Sequence, residues 1–320
     1  MNSTSDFIDW GDYDFSTRIP IFKCSILCVT TILLLTLNPL CLLVLRRVDS
    51  IQDTTKVFLR ALTAADLGVG IFFALPMTFA AFYQDWPFGD ALCGLQAFLL
   101  PISFNFSPLS LLMLTVDRYI SVVHALRYPS LVTVKRARIA VMSVFAALLL
   151  ISIGFGFVGE WYFSYSSTLL SCASLRRTFF YLEFMQVIYY CTIFSALLTI
   201  LITYIRLFLI ARHHQQRIHA DNPAALEGNP PHQRPNNKML YTLLIVALSA
   251  FVSVLLPVLW FILGHLDHTG TFFMLVLPIL TNSWLNVVIY FFRNKDIRQA
   301  TRNLLRTYFT SLQQHFPCSS

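Results

Sequence analysis

Seven apolar segments, each long enough to cross a lipid bilayer, dominate the sequence. A helix rises about 1.5 Å per residue, so about 20 apolar residues cross a hydrocarbon core of about 30 Å. The segments cover residues 19–45, 57–83, 93–123, 137–159, 179–211, 239–264 and 271–292. Of the 320 residues, 56% are hydrophobic and only 12% are charged, whereas about 25% are charged in a soluble domain. We therefore predict an all-α membrane protein, a seven-transmembrane helix bundle.

The third segment, residues 93–123, is the one around which the others are expected to pack. It opens with a cysteine and closes with Asp117-Arg118-Tyr119. Charged side chains are costly in lipid, so the triplet is expected at the membrane interface or facing other helices. The segment is longer than the hydrocarbon core requires, which predicts a tilted, central helix that projects from the bilayer.

The basic residues predict how the chain is oriented in the plasma membrane. Of the 23 Lys and Arg, nineteen lie near the loops after segments one, three and five or in the tail, and four lie on the other side. Because cytoplasmic loops are enriched in Lys and Arg, the N-terminus is predicted outside and the C-terminus in the cytoplasm. Asn2-Ser3-Thr4 is then an N-glycosylation sequon on the outer face.

This orientation divides the chain into three regions. Residues 1–18 form an extracellular tail, and residues 19–292 form the seven-helix domain, with a polar, Pro-containing cytoplasmic loop at 213–237. Residues 293–320 form the cytoplasmic tail. At its start, residues 294–309 alternate basic side chains with apolar ones such as Ile297 and Leu304, which predicts an amphipathic helix on an anionic leaflet.

Asp66 is the most informative polar residue inside an apolar segment. A lone carboxylate near the membrane midplane needs a proton, a cation or hydrogen bonds. Segments one, three and seven supply candidate partners: Asn38, Ser107, Asn282, Ser283 and Asn286. Two interpretations remain open: a small hydrated pocket that holds Na⁺, or polar contacts that only join the helices.

Motifs in every segment except the fourth resemble those of the rhodopsin-like (class A) G-protein-coupled receptors. In order, they are Asn38, Leu62-Thr63-Ala64-Ala65-Asp66, Trp86-Pro87-Phe88-Gly89 before Cys93, Asp117-Arg118-Tyr119, Tyr204, Phe251 with Pro257, and Asn286-Val287-Val288-Ile289-Tyr290. Each motif alone is weak, but their order and spacing are specific. The resemblance extends from Asn38 to Arg306. It implies a seven-helix receptor whose partner is a heterotrimeric G protein.

The resemblance also implies roles for particular residues. Cys93 and Cys172 would form a disulfide that holds the second outer loop over the ligand pocket. Arg118 would be held by Asp117 at rest and released towards Tyr204 and Tyr290 on activation. A sodium site that favours the inactive state would be lined by Asp66, Ser107, Asn282, Ser283 and Asn286. Without the other motifs, Asp117 and Arg118 would be interpreted as an ordinary ion pair at the membrane edge.

Several positions depart from the family pattern. The usual residues are replaced by Ala125, Phe145, Ala196, Leu255 and Val287. The acid that often holds Arg118 from the base of segment six is Asn237 here. Because both that acid and a bulky switch residue at Leu255 are missing, raised basal activity is our hypothesis. Pro101 and Pro108 lie inside segment three, where they are expected to kink it or to free backbone carbonyls.

The resemblance places a ligand pocket near the outer face. Its predicted lining is Leu100, Phe104, Asn105, Ile188, Tyr189, Thr192, Val258, Leu259 and Ile262. Leu100 stands where amine receptors have an Asp, and Leu280 stands where visual opsins have a Lys. The lining is apolar, which predicts an uncharged or lipid-like ligand; alternatively, these residues only face neighbouring helices. Residues 204–212 are similar to adenosine receptors, and the missing segment-five Pro resembles melanocortin receptors. Neither similarity identifies a ligand, so an orphan receptor is expected.

Two other functions are consistent with the sequence. One is an ion or proton transporter or channel that uses Asp66, for which ion flux lost in Asp66→Asn would be diagnostic. The other is a seven-helix decoy or partner subunit that does not signal. The sequence has no catalytic or metal-spaced constellation, so we predict neither an enzyme nor a cofactor beyond a possible Na⁺. The expected partners are a G protein, a small ligand and membrane lipids. Nucleic acid is not expected, because the basic residues flank apolar segments and form no single patch.

Overall fold

The structure is a computed structural model that describes residues 10–158, 163–174, 193–195, 197–210, 213, 237–263 and 275–315. Its elements in chain order are α1 (Trp10–Val44), α2 (Asp53–Val69), a π-helical turn (Gly70–Ala74), α3 (Leu75–Tyr83), α4 (Gly89–Val123), α5 (Tyr128–Leu131), α6 (Val134–Val158), β1 (Phe163–Ser166), β2 (Ser171–Ser174), α7 (Ile193–Ile210), α8 (Asn237–Leu263), α9 (Leu277–Arg293) and α10 (Lys295–His315).

Six helices in the described part of the chain are long and apolar enough to cross a membrane. They are Ile21–Val44, Asp53–Tyr83, Gly89–Val123, Val134–Gly154, Ile193–Ile210 and Tyr241–Leu259. The prediction of an α-helical membrane fold is confirmed for these six. The predicted seventh span, residues 271–292, includes α9 but begins outside the described residues.

Large apolar side chains on the outside of the bundle fit a lipid environment. Phe82, Leu150 and Phe292 are 71%, 68% and 70% exposed. Such a surface is unfavourable in water, because exposed apolar area raises the free energy of hydration. The inner surfaces pack into one main cluster that includes Leu62, Leu114 and other residues of α1, α2, α4 and α7–α10.

α4 lies at the centre of the described helices, as the sequence predicted for segment three. It contacts α2, α6, α8 and both strands. The helix continues through Pro101 and Pro108 as a single α-helix from Gly89 to Val123. One continuous helix therefore connects the region of the two strands to Asp117-Arg118-Tyr119.

A π-helical turn interrupts the second span and packs against α1. A side chain at Gly70 would place its Cβ 3.0 Å from the Cβ of Leu34. Glycine therefore allows the π-helical turn to lie close to α1, and a larger residue at this position would force the two apart. The turn and α3 continue the span to Tyr83.

A two-stranded antiparallel hairpin, which the sequence analysis did not predict, follows α6. β1 and β2 pair with Tyr165 opposite Cys172. Each strand has four residues, too few for a clear alternating pattern. The hairpin packs against α4 and brings Cys172 to that helix.

Candidate functional site

The polar cluster in the middle of the bundle is centred on Asp66, whose side chain is completely buried. Ser107 Oγ of α4 donates to Asp66 Oδ1 at 2.9 Å. Asn286 Nδ2 of α9 donates to Asp66 Oδ2 at 3.1 Å. The structure therefore joins three helices through one carboxylate, because a buried polar group must find hydrogen-bond partners.

Asn38 connects α1 to the same region. Its Nδ2 donates to the carbonyl oxygens of Leu34 at 3.2 Å and Ser283 at 3.4 Å. Within the described chain, the Oδ1 atoms of Asn38, Asn282 and Asn286 are buried and accept no hydrogen bond. Buried oxygens without donors are unusual in native proteins and indicate room for water or a cation.

A cavity of ≈ 60 Å³ adjoins this cluster. Its polar wall consists of Ser103, Ser107, Ser253, Asn282, Ser283 and Asn286, and Phe104 and Pro257 belong to its apolar wall. A water needs about 10–15 Å³ by this measure, so several waters, or an ion with part of its hydration shell, fit. Carboxylate, amide and hydroxyl oxygens are the ligands that small hard cations prefer, so the donor set fits Na⁺.

The polar cluster at the C-terminal end of α4 is centred on Arg118. The Arg118 guanidinium donates to Asp117 Oδ2 from Nη2 at 2.6 Å and from Nε at 3.0 Å. It also donates from Nη2 to Gln52 Oε1 at 2.8 Å and to Thr55 Oγ1. Arg118 and Asp117 are 8% and 2% exposed. Charge-assisted hydrogen bonds in a buried setting are strong, so this cluster holds Arg118 firmly.

Asp117 is itself held by two further side chains. Thr55 Oγ1 donates to its Oδ2 at 3.0 Å, and the Tyr128 hydroxyl donates to its Oδ1 at 2.7 Å. Thr54 Oγ1 lies 2.7 Å from that hydroxyl and acts as the donor, since the Tyr128 proton is already used. Burial, and to a smaller extent the bond to Asp117, raise the pKa of the Tyr128 phenol. It therefore stays a neutral donor at physiological pH.

The other residues predicted for activation lie apart from this cluster. Tyr204 and Tyr290 are 1% and 5% exposed. Their hydroxyl groups are buried and have no hydrogen-bond partner among the described residues. Tyr119 is 42% exposed. The arrangement thus holds Arg118 on the side of α2 and leaves two buried hydroxyls without a hydrogen-bond partner in the described part of the chain.

Near the N-terminal end of α4, the predicted disulfide between Cys93 and Cys172 is confirmed. A residue that the sequence analysis missed supports it. Gln96 Oε1 accepts a hydrogen bond from the Cys172 backbone N–H at 2.7 Å, and its Nε2 donates to the Phe72 carbonyl in the π-helical turn at 3.1 Å. Gln96 therefore ties the hairpin to the second span.

The predicted ligand-pocket residues are only partly described. Ile188, Tyr189, Thr192, the side chain of Ile262 and the glycosylation residue Asn2 lie outside the described residues. Phe104 lines the central cavity and packs on Phe73, with ring centroids 5.0 Å apart. Leu100, Asn105 and Val258 are partly buried, and Leu259 is 40% exposed.

Gln52, Thr55 and Tyr128 were not predicted as site residues. Gln52 is the residue that precedes α2, and Tyr128 begins the short helix α5. Polar residues are common where helices begin, so their type alone carried no signal. Their role depends on the packing of α2 and α5 around the C-terminal end of α4.

The fold and these two clusters define a class: a multi-pass α-helical membrane receptor with a buried acid in its core and a held arginine at one end. The sequence pattern described as "7 transmembrane receptor (rhodopsin family)" matches residues 37–290. The chain therefore belongs to the rhodopsin family of seven-transmembrane receptors, the class A G-protein-coupled receptors. The resemblance inferred from the motifs is confirmed. The known family members that this chain resembles are receptors and not enzymes.

Individual relatives support this assignment. The chain is 31% identical to the histamine H2 receptor of Canis lupus familiaris, over 80% of this chain and 71% of that receptor. It is 25% identical to G-protein coupled receptor 52 of Bos taurus, over 95% of this chain and 86% of the relative. It is 26% identical to melanocortin receptor 3 of Homo sapiens, over 84% and 80% of the two chains.

Proposed function

We propose that the chain is a plasma-membrane receptor that transmits binding of an extracellular ligand to a heterotrimeric G protein. The Arg118 cluster is the observation that carries this proposal. A buried guanidinium is held by Asp117, Gln52 and Thr55, while the buried hydroxyls of Tyr204 and Tyr290 would offer it a second set of partners. Release of Arg118 towards Tyr204 and Tyr290 would exchange one set of hydrogen bonds for another, and an outside event could bias that choice.

The proposal includes the placement of the chain in the membrane. The N-terminus is outside and the C-terminus is in the cytoplasm, as the distribution of basic residues favours. α9 belongs to the seventh span, and α10 lies along the inner leaflet. Ile297 and Thr301 of α10 are buried against the bundle, whereas Arg302 is exposed. This two-sided character supports an interfacial helix.

We predict that the purified chain in lipid nanodiscs accelerates nucleotide exchange on at least one G-protein family. Arg118→Ala should lower that rate roughly tenfold or more, because it removes the charge-assisted hydrogen bonds that the released guanidinium would make in the active arrangement, each worth about 1.5–3 kcal/mol. A melting curve for each protein controls for misfolding, and Lys135→Gln, an exposed cation at the start of α6, is the matched control. Equal exchange by the wild type and a folded Arg118→Ala protein would contradict coupling and favour a non-signalling role.

The middle cluster supports Na⁺ as an allosteric ion. Asp66, Ser107, Asn282, Ser283 and Asn286 would hold it, and the ion would supply positive charge that stabilises the resting packing of α2, α4 and α9. The unsatisfied amide oxygens and the adjoining cavity support this assignment.

We expect NaCl to raise the melting temperature of the chain relative to the same concentration of choline chloride. At ten times the dissociation constant, one site contributes about 1.4 kcal/mol. Asp66→Asn keeps the shape of the side chain and removes its charge, so the difference between the salts should vanish. Asp90→Asn, at the outer start of α4, is the matched control and should retain it. A sodium effect that survives in Asp66→Asn would place the ion elsewhere.

The ligand that we propose is uncharged or lipid-like. A relative is named as a histamine receptor, but the residue that would pair with an ammonium is Leu100 in this chain. Leu100 and Phe104 belong to an apolar cluster with Phe73 and Leu280. A screen of lipids, nucleosides, amines and peptides in the exchange assay tests the assignment, and a response to an amine would overturn it.

A further inference from the structure

An apolar groove of ≈ 250 Å³ lies where α1, α9 and α10 meet. Its wall includes Leu40 and Val44 of α1, Val288 and Phe291 of α9, and Thr301 and Leu305 of α10. Leu305 is 40% exposed, so the groove opens on the outside of the bundle. It is separate from the central cavity beside Asp66, with which it shares no lining residue.

The wall of the groove offers little to water. Thr301 is 2% exposed and donates its hydroxyl to the Ile297 carbonyl at 2.8 Å. The Cys41 thiol lies 3.8 Å from the Thr63 hydroxyl, within the protein. Apolar cavities without free polar partners stay dry. Because this apolar groove opens on the outside of the bundle, where lipid is expected, a hydrocarbon chain is the occupant that fits it.

Arginines lie close in sequence to two residues of this wall, Val44 and Leu305. Arg46 and Arg47 follow Val44 along the chain, and Arg302 and Arg306 flank Leu305 on α10. All four arginines are exposed. Two acids lie in the same region, Asp49 and Asp296, and Asp296 accepts a hydrogen bond from Ser50 at 2.5 Å. Four cations against two acids leave a positive rim, which favours an anionic headgroup over a zwitterionic one.

Tyr290 connects the groove to the inner end of the receptor. Its side chain lines the groove and also a second cavity of ≈ 450 Å³, whose wall includes Leu243 and Arg293. A chain that fills the groove therefore packs against the same ring that activation is expected to move. Occupancy of the groove would favour the position that Tyr290 has in this structure.

We propose that this groove binds one acyl chain of an anionic phospholipid from the inner leaflet, whose phosphate is held by the arginines at the rim. Bound lipid stabilises the resting position of Tyr290. The leaflet and the role of Tyr290 rest on the proposed function, whereas the match between an apolar groove and a cationic rim does not.

Native mass spectrometry of the full chain tests the site, with dioleoyl phosphatidylserine and dioleoyl phosphatidylcholine as probes. One phosphatidylserine should bind saturably and more tightly than phosphatidylcholine. Each arginine near a surface phosphate contributes about fivefold in affinity, so Arg302→Gln with Arg306→Gln should weaken binding about 30-fold. Leu305→Trp fills the groove and should also abolish the preference.

Matched controls leave the groove unchanged. Lys135→Gln with Arg138→Gln removes two exposed cations of α6, and Leu150→Trp enlarges an exposed side chain of the same helix. Both controls should bind phosphatidylserine like the wild type, and melting curves verify that all variants fold. Equal binding of the two lipids, equal loss in the controls, a sterol that occupies the groove independently of the arginines, or a dimer formed through this face would overturn the site.

The regulatory part has its own readout. Phosphatidylserine should lower basal nucleotide exchange in the wild type but not in the double arginine variant. Lipid binding is measured without a G protein. If the lipid does not bind, the result of the nucleotide-exchange assay is unaffected, so failure of the lipid site is distinguishable from failure of G-protein coupling. Binding of phosphatidylserine without any change in nucleotide exchange would contradict the regulatory role but would still support the binding site.

Discussion

Replacement of Cys93 by serine is expected to destabilise the protein by about 2–5 kcal/mol, as is typical when a native disulfide is lost. The bond joins residues 79 positions apart, and closing a long loop restricts the unfolded chain more than closing a short one. Cys172→Ser should have the same effect, and the double variant should be no worse than either, because all three remove one bond.

The surroundings of the disulfide explain why its loss should also loosen the packing around the N-terminal end of α4. Cys93, Ala97 and Cys172 form a buried cluster against Trp86 and Phe163. Gln96 then extends the connection to the π-helical turn. Among the described contacts between the hairpin and α4, the Gln96 hydrogen bond and the apolar packing would remain without the disulfide.

Thermal and denaturant unfolding in nanodiscs, with and without reductant, measures this prediction. Cys24→Ser, a partly buried free cysteine of α1, is the matched control and should change the stability by less than about 0.5 kcal/mol. A Cys93→Ser protein as stable as this control would mean that the hairpin is fixed by other contacts.

The middle cluster could be predicted from the sequence because its chemistry is unusual where it occurs. A carboxylate in an apolar span must find partners, so Asp66 pointed to the few polar residues on neighbouring spans. The structure brings Ser107 and Asn286 within hydrogen-bond distance of it. Segment length and hydropathy likewise predicted the six spans, although helix ends differ by several residues.

The features that were missed depend on tertiary packing. Gln96 is one polar residue in an apolar segment, and its role emerges only when the π-helical turn presents the Phe72 carbonyl to it. The turn itself has no compositional signature apart from Gly70. The hairpin strands are too short to show a period. The partners of Arg118 come from helix starts, where polar side chains are expected without any further role.

The prediction about basal activity concerns Gln52, which the structure identifies as a partner of Arg118. The departures at Asn237 and Leu255 led us to propose raised basal activity, since the family's usual acid and bulky switch are missing. Arg118 is nevertheless held from the side of α2, by Gln52 and Thr55. A neutral amide holds a guanidinium less strongly than a carboxylate does. We therefore expect a resting state that is restrained, but less than in receptors with the acid.

Gln52→Ala should raise basal nucleotide exchange, and Gln52→Glu should lower it. A hydrogen bond to a charged group contributes about 1.5–3 kcal/mol, so its loss shifts the resting equilibrium at most about 10- to 150-fold. Because Asp117 and Thr55 still hold Arg118 in the alanine variant, a rise of several-fold is the expected result. Gln52→Glu supplies the missing negative charge at the same position and strengthens the restraint.

Exchange on purified G protein, with Arg118→Ala as the zero level, measures both variants, and a cellular second-messenger assay gives an independent readout. Gln299→Ala, an exposed glutamine of α10, is the matched control and should behave like the wild type.

If wild-type cells give no signal above the Arg118→Ala level, raised basal activity is wrong. If Gln52→Ala and Gln52→Glu change exchange in the same direction, the bond to Arg118 does not restrain it. Opposite shifts would mean that Gln52, at the end of the loop between α1 and α2, sets the basal rate of nucleotide exchange.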